Sequence, residues 1–447
     1  MSKETIYALS TVYGKSGVAI IRISGGSSLD AVIKMTGLNI NNIKPRYAYF
    51  LDLKDIITYE TLDKCLLLYF KAPLSFTGED VVELQVHGSK AVISSVIKNL
   101  SSIENFRMAE PGEFSKRAFY NNKMDLTEAE GLADLIDAET LEQQKYAVRQ
   151  MDGNLKNLYE GWREELIKVL AHIEAYVDFP DEEIPEDITS KLLNNVFKLG
   201  SEIKQHISGD SIGERLREGF RVVIVGPPNA GKSSLLNALV KREAAIVSEI
   251  AGTTRDAIDV HLDINGYPIV FTDTAGLRET MEEIEKKGME IALRKINDAD
   301  LVLCLFDASK DNPEVFDGIK KSFKHNPIMI ANKSDNLSME QAAMLEKQGC
   351  LVISAKTNSG IDALLGKIAS IIEDKFNSNS GFLITRARYR EYLTEVLENL
   401  NLFSLDKQIE LSAEDIRMAA RALGKITGRI EVDDVLDKIF SDFCIGK

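Results

Sequence analysis

The chain has 447 residues, enough for about three domains of typical size. Its 54 Lys and Arg against 69 Asp and Glu give a formal net charge of −15, which disfavours a general electrostatic grip on nucleic acid. The four cysteines are far apart and lack metal-site spacing, which indicates a reducing, cytoplasmic setting. The longest apolar runs are strand-sized, so we expect a soluble protein that does not cross a membrane.

The N-terminal part of the chain, residues 1–117, has a mixed α/β pattern with apolar strand-like runs at 17–25 and 81–88. Each run carries a charged residue inside it, Arg22 in the first and Glu83 in the second. The pattern alone leaves two interpretations open: the charges lie on the solvent face of half-buried strands, or they face a pocket.

The next part, residues 118–217, has a helical pattern. Its apolar residues are spaced for one buried face and include Leu126, Ala129, Leu132, Ala133, Leu135 and Ile136. Helical periodicity returns after a linker-like stretch at 378–381. We therefore predict a helical domain made of 118–217 and 378–447, into which residues 218–377 are inserted.

Residues 226–233, GPPNAGKS, match the complete pattern of a phosphate-binding loop. An apolar run precedes the loop and a helical pattern follows it, which is the context that the motif requires. Backbone N–H groups and the helix N-terminus then bind the α- and β-phosphates. Lys232 is predicted to reach the β- and γ-phosphates and the Ser233 hydroxyl to ligate Mg²⁺.

Two later apolar strands end in further nucleotide motifs. The strand at 269–272 leads to Asp273, Thr274, Ala275 and Gly276, where the acid holds Mg²⁺ through water and the glycine N–H senses the γ-phosphate. The strand at 328–331 leads to Asn332, Lys333, Ser334 and Asp335.

The base is chosen by Asp335. Its carboxylate accepts hydrogen bonds from guanine N1–H and N2–H₂, a donor pair that adenine lacks, so the sequence predicts GTP rather than ATP. Ser354, Ala355 and Lys356 follow another short strand, and their backbone is predicted to complete the guanine pocket.

A candidate first switch, GTTRD at 252–256, lies between these motifs, and Thr254 is predicted to complete the Mg²⁺ shell. Ras-type GTPases place a water-orienting glutamine after the glycine of the second motif, but this chain has Leu277 there. An apolar side chain cannot orient the attacking water, so catalysis must come from elsewhere. The residues alone leave several candidates open, namely Arg255, Arg278, Glu279, Glu282, Glu283 and Glu285.

Together these motifs resemble the MnmE (TrmE) family of GTPases that modify the wobble uridine of tRNA, over essentially the whole chain. The signatures are FTGED at 76–80, PGEF at 111–114, GTTRD at 252–256, DTAGLR at 273–278 and FCIGK at 443–447. The resemblance implies a multidomain α/β plus α protein. Its parts are an N-terminal α+β folate-binding and dimerisation domain at 1–117, a discontinuous helical domain at 118–217 and 378–447, and an inserted Ras-like P-loop G domain at 218–377.

The resemblance also implies a second cofactor, 5-formyl-tetrahydrofolate or a related folate. Arg22, Glu83, Lys123 and Lys447 match the family's folate-binding positions, which favours the pocket interpretation of the two strand charges. Cys444 is implied to lie near that pocket, with its chemical role open.

In the family, G domains dimerise across the nucleotide site and use K⁺ where Ras-type enzymes receive an arginine finger. Asn229, Ser248, Ile250 and Thr253 match the K⁺-ligand positions, and Glu285 matches the water-orienting acid. The catalytic set is then Glu285, Lys232, Thr254 and Gly276. The full predicted GTP contact set is Asn229, Ala230, Gly231, Lys232, Ser233, Ser234, Ser248, Thr253, Thr254, Asp273, Thr274, Ala275, Gly276, Asn332, Lys333, Asp335, Ser354, Ala355 and Lys356.

The implied reaction is GTP hydrolysis to GDP and phosphate, coupled to installation of an aminomethyl or carboxymethylaminomethyl group at C5 of uridine 34 of certain tRNAs. The implied assembly is a homodimer that joins the FAD-dependent protein MnmG (GidA) in a heterotetramer or larger complex. The competing interpretation is an Era- or Der-type ribosome-assembly switch, which normally carries a basic RNA-binding module and has no use for a folate site.

Overall fold

The structure is a computed structural model that describes residues 4–178, 186–208, 212–242, 259–273, 296–317, 326–377, 383–430, 436, 439–441, 443 and 445–446. Two compact units are present. One consists of Met1–Ala133, Met151–Arg163 and Leu423–Lys447, and the other of Asp134–Gln150 and Glu164–Ala422. Among the described residues, no helix combines the length and the apolar character that a membrane span requires.

The first unit contains a mixed sheet with the strand order β3-β4-β5-β2-β1-β6. The strands are β1 (Thr5–Leu9), β2 (Ser16–Ser24), β3 (Tyr49–Lys54), β4 (Thr61–Phe70), β5 (Val81–Gly88) and β6 (Phe106–Met108). Helices α1 (Ser28–Thr36) and α2 (Lys90–Ser101) contribute to the buried core of this sheet. Ile21, Ile23 and Leu84 belong to that core. Because side chains alternate along a strand, Arg22 and Glu83 project from the opposite face.

Helices α3 (Glu113–Tyr120) and α4 (Leu126–Ile136) follow the sheet. Leu126 and Ala129 of α4 are buried in a cluster with Phe440 and Phe443 from the C-terminal part of the chain. The helix predicted for this segment is therefore confirmed, and the cluster joins α4 to Phe440 and to Phe443, the first residue of the FCIGK signature.

The second unit contains the sheet that carries the nucleotide motifs, with the strand order β12-β11-β10-β7-β9-β8. Its strands are β7 (Phe220–Val225), β8 (Asp259–Ile264), β9 (Tyr267–Asp273), β10 (Leu301–Asp307), β11 (Ile328–Asn332) and β12 (Leu351–Val352). Only β8 pairs antiparallel; the other strands pair in parallel. All seven residues of β10 are buried, as expected for a central parallel strand covered on both faces. Three helices lie between these strands or directly after them in sequence: α9 (Lys232–Arg242), α10 (Met339–Lys347) and α11 (Ile361–Asn377).

Helices from both sides of the nucleotide motifs make up the rest. They are α5 (Leu141–Met151), α6 (Asn154–Asp178), α7 (Glu186–Ser208), α8 (Ile212–Glu218), α12 (Ala387–Leu402) and α13 (Ile409–Thr427). Helix α7, which precedes the sheet in sequence, packs against α12, which follows it. The multidomain α/β plus α fold, with a P-loop domain inserted into a discontinuous helical arrangement, is confirmed.

Candidate functional site: a guanine-nucleotide pocket and a polar N-terminal site

The phosphate-binding loop connects β7 to α9. In the sheet β7 lies between β9 and β10, so the strand order reverses at this loop. Ligands of open α/β sheets bind in such a crevice at the carboxyl ends of the strands. A Cβ atom added at Gly226 would lie 2.0 Å from the Leu305 carbonyl oxygen, so the loop can approach β10 only with glycine there. Gly231 has φ +101°, a left-handed conformation that favours glycine.

The Lys232 side chain folds back over this loop. Its Nζ donates to the carbonyl oxygens of Gly226, at 2.7 Å, and Pro227, at 3.0 Å. Ser233 and Ser234 follow in the exposed first turn of α9. The ammonium group and the N-terminus of α9 therefore lie at the same loop, as phosphate binding requires.

The buried side chain of Asn332 ties two nucleotide motifs together. Its Nδ2 donates to the Ala230 carbonyl oxygen at 2.8 Å, and its Oδ1 accepts from the Ala355 backbone N–H at 3.0 Å. One amide group thus fixes the phosphate loop relative to the loop after β12, which the sequence assigns to the guanine base.

The carboxylate of Asp335 lies in that same loop cluster. It accepts a hydrogen bond from the Ser354 hydroxyl at 2.7 Å, and the Lys356 Nζ lies 3.7 Å from its second oxygen. The hydrogen bond from Ser354 and the nearby ammonium hold the pKa of Asp335 below its ordinary value. The group is therefore an anion at neutral pH, the state that accepts two hydrogen bonds from guanine.

Sequence reasoning missed Asp307, the last residue of β10. Its Oδ2 accepts from the Lys333 Nζ at 2.7 Å, and its Oδ1 accepts from the Ser309 hydroxyl at 2.6 Å. Burial opposes ionisation, but these hydrogen bonds outweigh it and hold the pKa of Asp307 low. Lys333 has φ +66°, so this ion pair fixes an unfavourable backbone conformation within the NKSD motif. An acid that ends an apolar strand, as Asp273 does, is the signal that would have found Asp307.

Several predicted residues lie outside the described part of the chain. They are Ser248, Ile250, Thr253, Thr254, Thr274, Ala275, Gly276, Glu285, Cys444 and Lys447. The backbone of Asp273 is described and pairs in register with Ile224 of β7, which places the end of β9 beside the start of the phosphate loop.

The N-terminal sheet brings Arg22 and Glu83 together. They are directly opposite each other on β2 and β5, and the Arg22 Nη2 lies 2.9 Å from the Glu83 Oε1. The Arg22 guanidinium lies 5.4 Å from the ring centroid of Phe76 and 5.7 Å from that of Phe114. The two strand charges are thus neither solvent-face residues nor independent groups, because they form a largely buried pair against aromatic rings.

Lys123 and the C-terminal segment also contact this N-terminal region. The Lys123 Nζ donates to the Pro73 carbonyl oxygen at 3.0 Å, near the FTGED loop. Ile445 forms an antiparallel bridge with Pro111, and the Ser10 hydroxyl donates to the Gly446 carbonyl oxygen at 3.0 Å. Ile445 and Gly446, which follow Cys444 in sequence, therefore lie at the PGEF segment and just after β1.

A second network in this region was not predicted. Arg107 donates to both carboxylate oxygens of Glu113, at 2.7 and 2.6 Å, and Arg117 links Glu113 to Glu79 of the FTGED loop. These residues line a cavity of 610 Å³. A guanidinium group that donates two hydrogen bonds to a carboxylate fixes the orientation of both groups. This network therefore holds the FTGED and PGEF segments in a fixed position relative to each other.

A phosphate loop, an ionised carboxylate in the NKSD motif and a mainly parallel sheet that joins them are the features of a P-loop GTPase. The comparisons with known proteins identify the family. Residues 5–123 match the family model for the GTP-binding protein TrmE N-terminus, and residues 126–444 match the MnmE helical domain. The chain therefore belongs to the MnmE family of tRNA modification GTPases.

The curated relatives that match along nearly the whole chain are tRNA modification GTPases of the same family. The tRNA modification GTPase MnmE of Rickettsia typhi is 46% identical over 446 residues, covering 99% of this chain and 100% of the relative. That of Rickettsia prowazekii is also 46% identical over 446 residues, with the same coverage. Among solved structures, the G domain of the T. maritima FeoB iron transporter is 27% identical, covers 34% of this chain and 97% of its own, and has a TM-score of 0.26.

Proposed function

We propose that this tRNA modification GTPase acts with an FAD-containing partner to add an aminomethyl or carboxymethylaminomethyl group at C5 of uridine 34. The nucleotide half of the proposal rests on the two hydrogen bonds of the Asn332 side chain. They fix the phosphate loop relative to the loop that contains Ala355, beside Asp335. The modification half rests on the match to the family over nearly the whole chain.

The residues around the phosphates then have separate roles. Lys232 neutralises charge on the β- and γ-phosphates, and the Ser233 and Thr254 hydroxyls hold Mg²⁺. The exposed position of Ser233 at the start of α9 suits a metal ligand. The Gly276 N–H contacts the γ-phosphate, and Glu285 orients the attacking water in place of the glutamine that Leu277 replaces.

We assign a K⁺ site to Asn229, Ser248, Ile250 and Thr253, used when two G domains pair. Asn229 is exposed and has φ +63°, so its side chain lies on the phosphate loop without being buried in the domain. Oxygen donors from an amide and backbone carbonyls suit a monovalent cation. When bound, such a cation supplies positive charge to the phosphate oxygens as the bond to the leaving group breaks.

GTP turnover should rise by about tenfold or more when Na⁺ is replaced by K⁺, because charge placed at the transferred phosphate lowers the barrier. Asn229→Gly should abolish most of this stimulation. Glycine accepts the positive φ at no steric cost, so the variant removes the amide ligand without straining the loop. Steady-state phosphate release in the two salts measures the effect, and equal rates for the wild type would remove the K⁺ assignment.

We assign a folate site to Arg22, Glu83, Lys123 and Lys447, at the face where N-terminal domains of two copies pair in a homodimer. The Arg22–Glu83 pair against Phe76 and Phe114 offers what a pteridine ring needs: a carboxylate acceptor, a guanidinium donor and aromatic surface. Lys123 supplies a cation for the glutamyl carboxylates. A folate bound there would carry the one-carbon unit, and we propose a part for Cys444 in the modification.

The partner proposed is MnmG, in a heterotetramer or larger assembly that works on tRNA in the cytoplasm. The formal net charge of −15 supports a division of labour in which that partner supplies much of the tRNA grip. The competing function, an Era- or Der-type assembly switch, has no role for the paired Arg22 and Glu83.

The experiment is nucleoside mass spectrometry of tRNA from cells lacking the gene, complemented by the wild type or by Cys444→Ser. We expect the C5-substituted wobble uridine to disappear without the gene, to return with the wild type and to stay absent with the serine variant. Unchanged nucleosides in the deletion strain would favour the assembly switch. Restoration by Cys444→Ser would leave the function intact but remove the thiol from it.

A further inference from the structure

The nucleotide domain is joined to the rest of the chain by two connections. An arginine from each connection donates to the same carboxylate. The incoming connection is α8, which leads into β7, and the outgoing one is residues 383–386, which precede α12. Asp134, near the end of α4, accepts from the Arg217 Nε at 3.0 Å and from the Arg386 Nη2 at 2.7 Å through the same oxygen, Oδ1. Its side chain is only 14% exposed, so this contact is largely shielded from solvent.

The two connections also contact each other. A Cβ atom added at Gly213 would lie 2.4 Å from the Ile384 carbonyl oxygen, so the start of α8 lies directly against the outgoing segment. Helix α5 holds both: the Gln143 Nε2 donates to the Arg217 carbonyl oxygen at 3.1 Å, and the Tyr146 hydroxyl donates to the Leu383 carbonyl oxygen. The connections are thus a single packed joint rather than two independent linkers.

This joint is continuous with the core of the nucleotide domain. Ile212, Leu216 and Leu383 belong to the same buried cluster as Phe220 and Phe271 of its sheet. The Glu142 backbone N–H donates to the carbonyl oxygen of Gly266, in the turn between β8 and β9. Since packed cores change arrangement as units, a shift in the sheet is expected to reach the joint.

A cavity of 310 Å³ lies beside the Asp134 contact and is lined by Asp134, Asp137, Gln143, Tyr146 and Arg217, among others. Asp134 itself belongs to α4, whose first residues, Leu126 and Ala129, pack with Phe440 and with Phe443 of the C-terminal signature.

We propose that Asp134 is a positioning residue that couples the nucleotide domain to the modification reaction by holding Arg217 and Arg386 on one helix end. With the carboxylate charge in place, a change at the GTP site moves both connections together and acts on α4. Without it, the connections move separately and GTP is hydrolysed without effect on the modification. The proposal rests on the proposed function for its second half.

The test is the number of GTP molecules hydrolysed per modified uridine, measured with the complete chain, its flavoprotein partner and tRNA. Asp134→Asn keeps the shape but removes the charge. We expect the ratio to rise by about tenfold, within the usual range of allosteric coupling, while KM for GTP stays within about twofold of the wild type. Asp134→Glu should recover part of the coupling.

The matched control is Asp137→Asn. Asp137 lines the same cavity, and within the described ranges it forms no ion pair, so its variant should keep the wild-type ratio. A general structural role would lower hydrolysis and modification in proportion and leave the ratio unchanged, which would overturn the inference. Arg386→Lys is a milder second variant if Asp134→Asn folds poorly, and it should show a smaller rise in the ratio.

Hydrogen–deuterium exchange provides a readout that does not depend on the modification. In the wild type, adding a non-hydrolysable GTP analogue should change exchange in the peptides covering 212–218 and 383–390 together. In Asp134→Asn the analogue should still bind, but the two peptides should no longer respond together. An identical response in both proteins would refute the coupling, whereas absence of modified uridine with the wild type would refute only the proposed function.

Discussion

Replacing Asp335 with asparagine should weaken GTP binding by about 100-fold and transfer the preference to xanthosine triphosphate. The substitution removes two charge-assisted hydrogen bonds between the carboxylate and guanine, each worth about 1.5–3 kcal/mol. The asparagine side chain presents an N–H₂ donor to the guanine N2–H₂ donor, but it matches the O2 acceptor of xanthine. The affinity loss and the change of preference are measured by titrating the protein with fluorescent analogues of GTP and of xanthosine triphosphate. The xanthine analogue should bind the variant more tightly than the guanine analogue does.

The matched control for this change is Ser354→Ala. It removes the 2.7 Å hydrogen bond to Asp335 while keeping the carboxylate itself. We expect a loss of GTP affinity of a few fold and no gain for the xanthine nucleotide, since the Ser354 hydroxyl orients the carboxylate while the carboxylate itself still accepts from the base. Equal weakening of both nucleotides by Asp335→Asn would mean that the carboxylate supports the loop rather than reading the base.

Much of the nucleotide site could be predicted from the sequence because its motifs are local. The phosphate loop, the acid that follows β9 and the NKSD segment each follow an apolar strand. The carboxyl ends of parallel strands meet at one edge of a sheet, so motifs far apart in sequence lie close together once their strands are neighbours. Strands β7, β10 and β11 are such parallel neighbours.

The contacts that hold these motifs together could not be predicted, because they depend on which strands become neighbours. Asn332 bonds to Ala230, 102 residues away, and its role as a tie appears only once β11 lies beside β10 and β10 beside β7. The contact between Asp134 and Arg386 spans 252 residues and follows from the insertion of one domain into another. Neither pair has a spacing that distinguishes it from ordinary polar residues.

The N-terminal charges show a third kind of limit. Alternation along β2 and β5 predicts that Arg22 and Glu83 lie on the face opposite the core, but it does not give the register between the strands. A shift of one residue would separate the two groups. The observed register places them directly opposite each other, which turns two ambiguous charges into a paired site.

The second large effect is expected for Lys232→Met, which should abolish measurable GTP binding, a loss on the order of 100-fold or more. Methionine keeps an unbranched chain of similar length but lacks the ammonium that neutralises the phosphates, and hydrogen bonds to charged groups are the strongest ones a site offers. The fold should survive. The Nζ donates to the Gly226 and Pro227 carbonyl oxygens, which lie in a loop that is partly accessible to solvent, so water can replace the ammonium as their donor.

Thermal unfolding with and without GTP measures this loss directly. A nucleotide present at about 100 times its Kd stabilises the wild type by about 2.7 kcal/mol, and this gain should vanish in Lys232→Met. Lys241→Met is the control, because Lys241 lies in the exposed last turn of the same helix, away from the loop, and should keep the full GTP-dependent shift. If Lys232→Met still gained the wild-type shift, phosphate binding would rest on the backbone N–H groups and the helix N-terminus of the loop, and the lysine would serve the transition state alone.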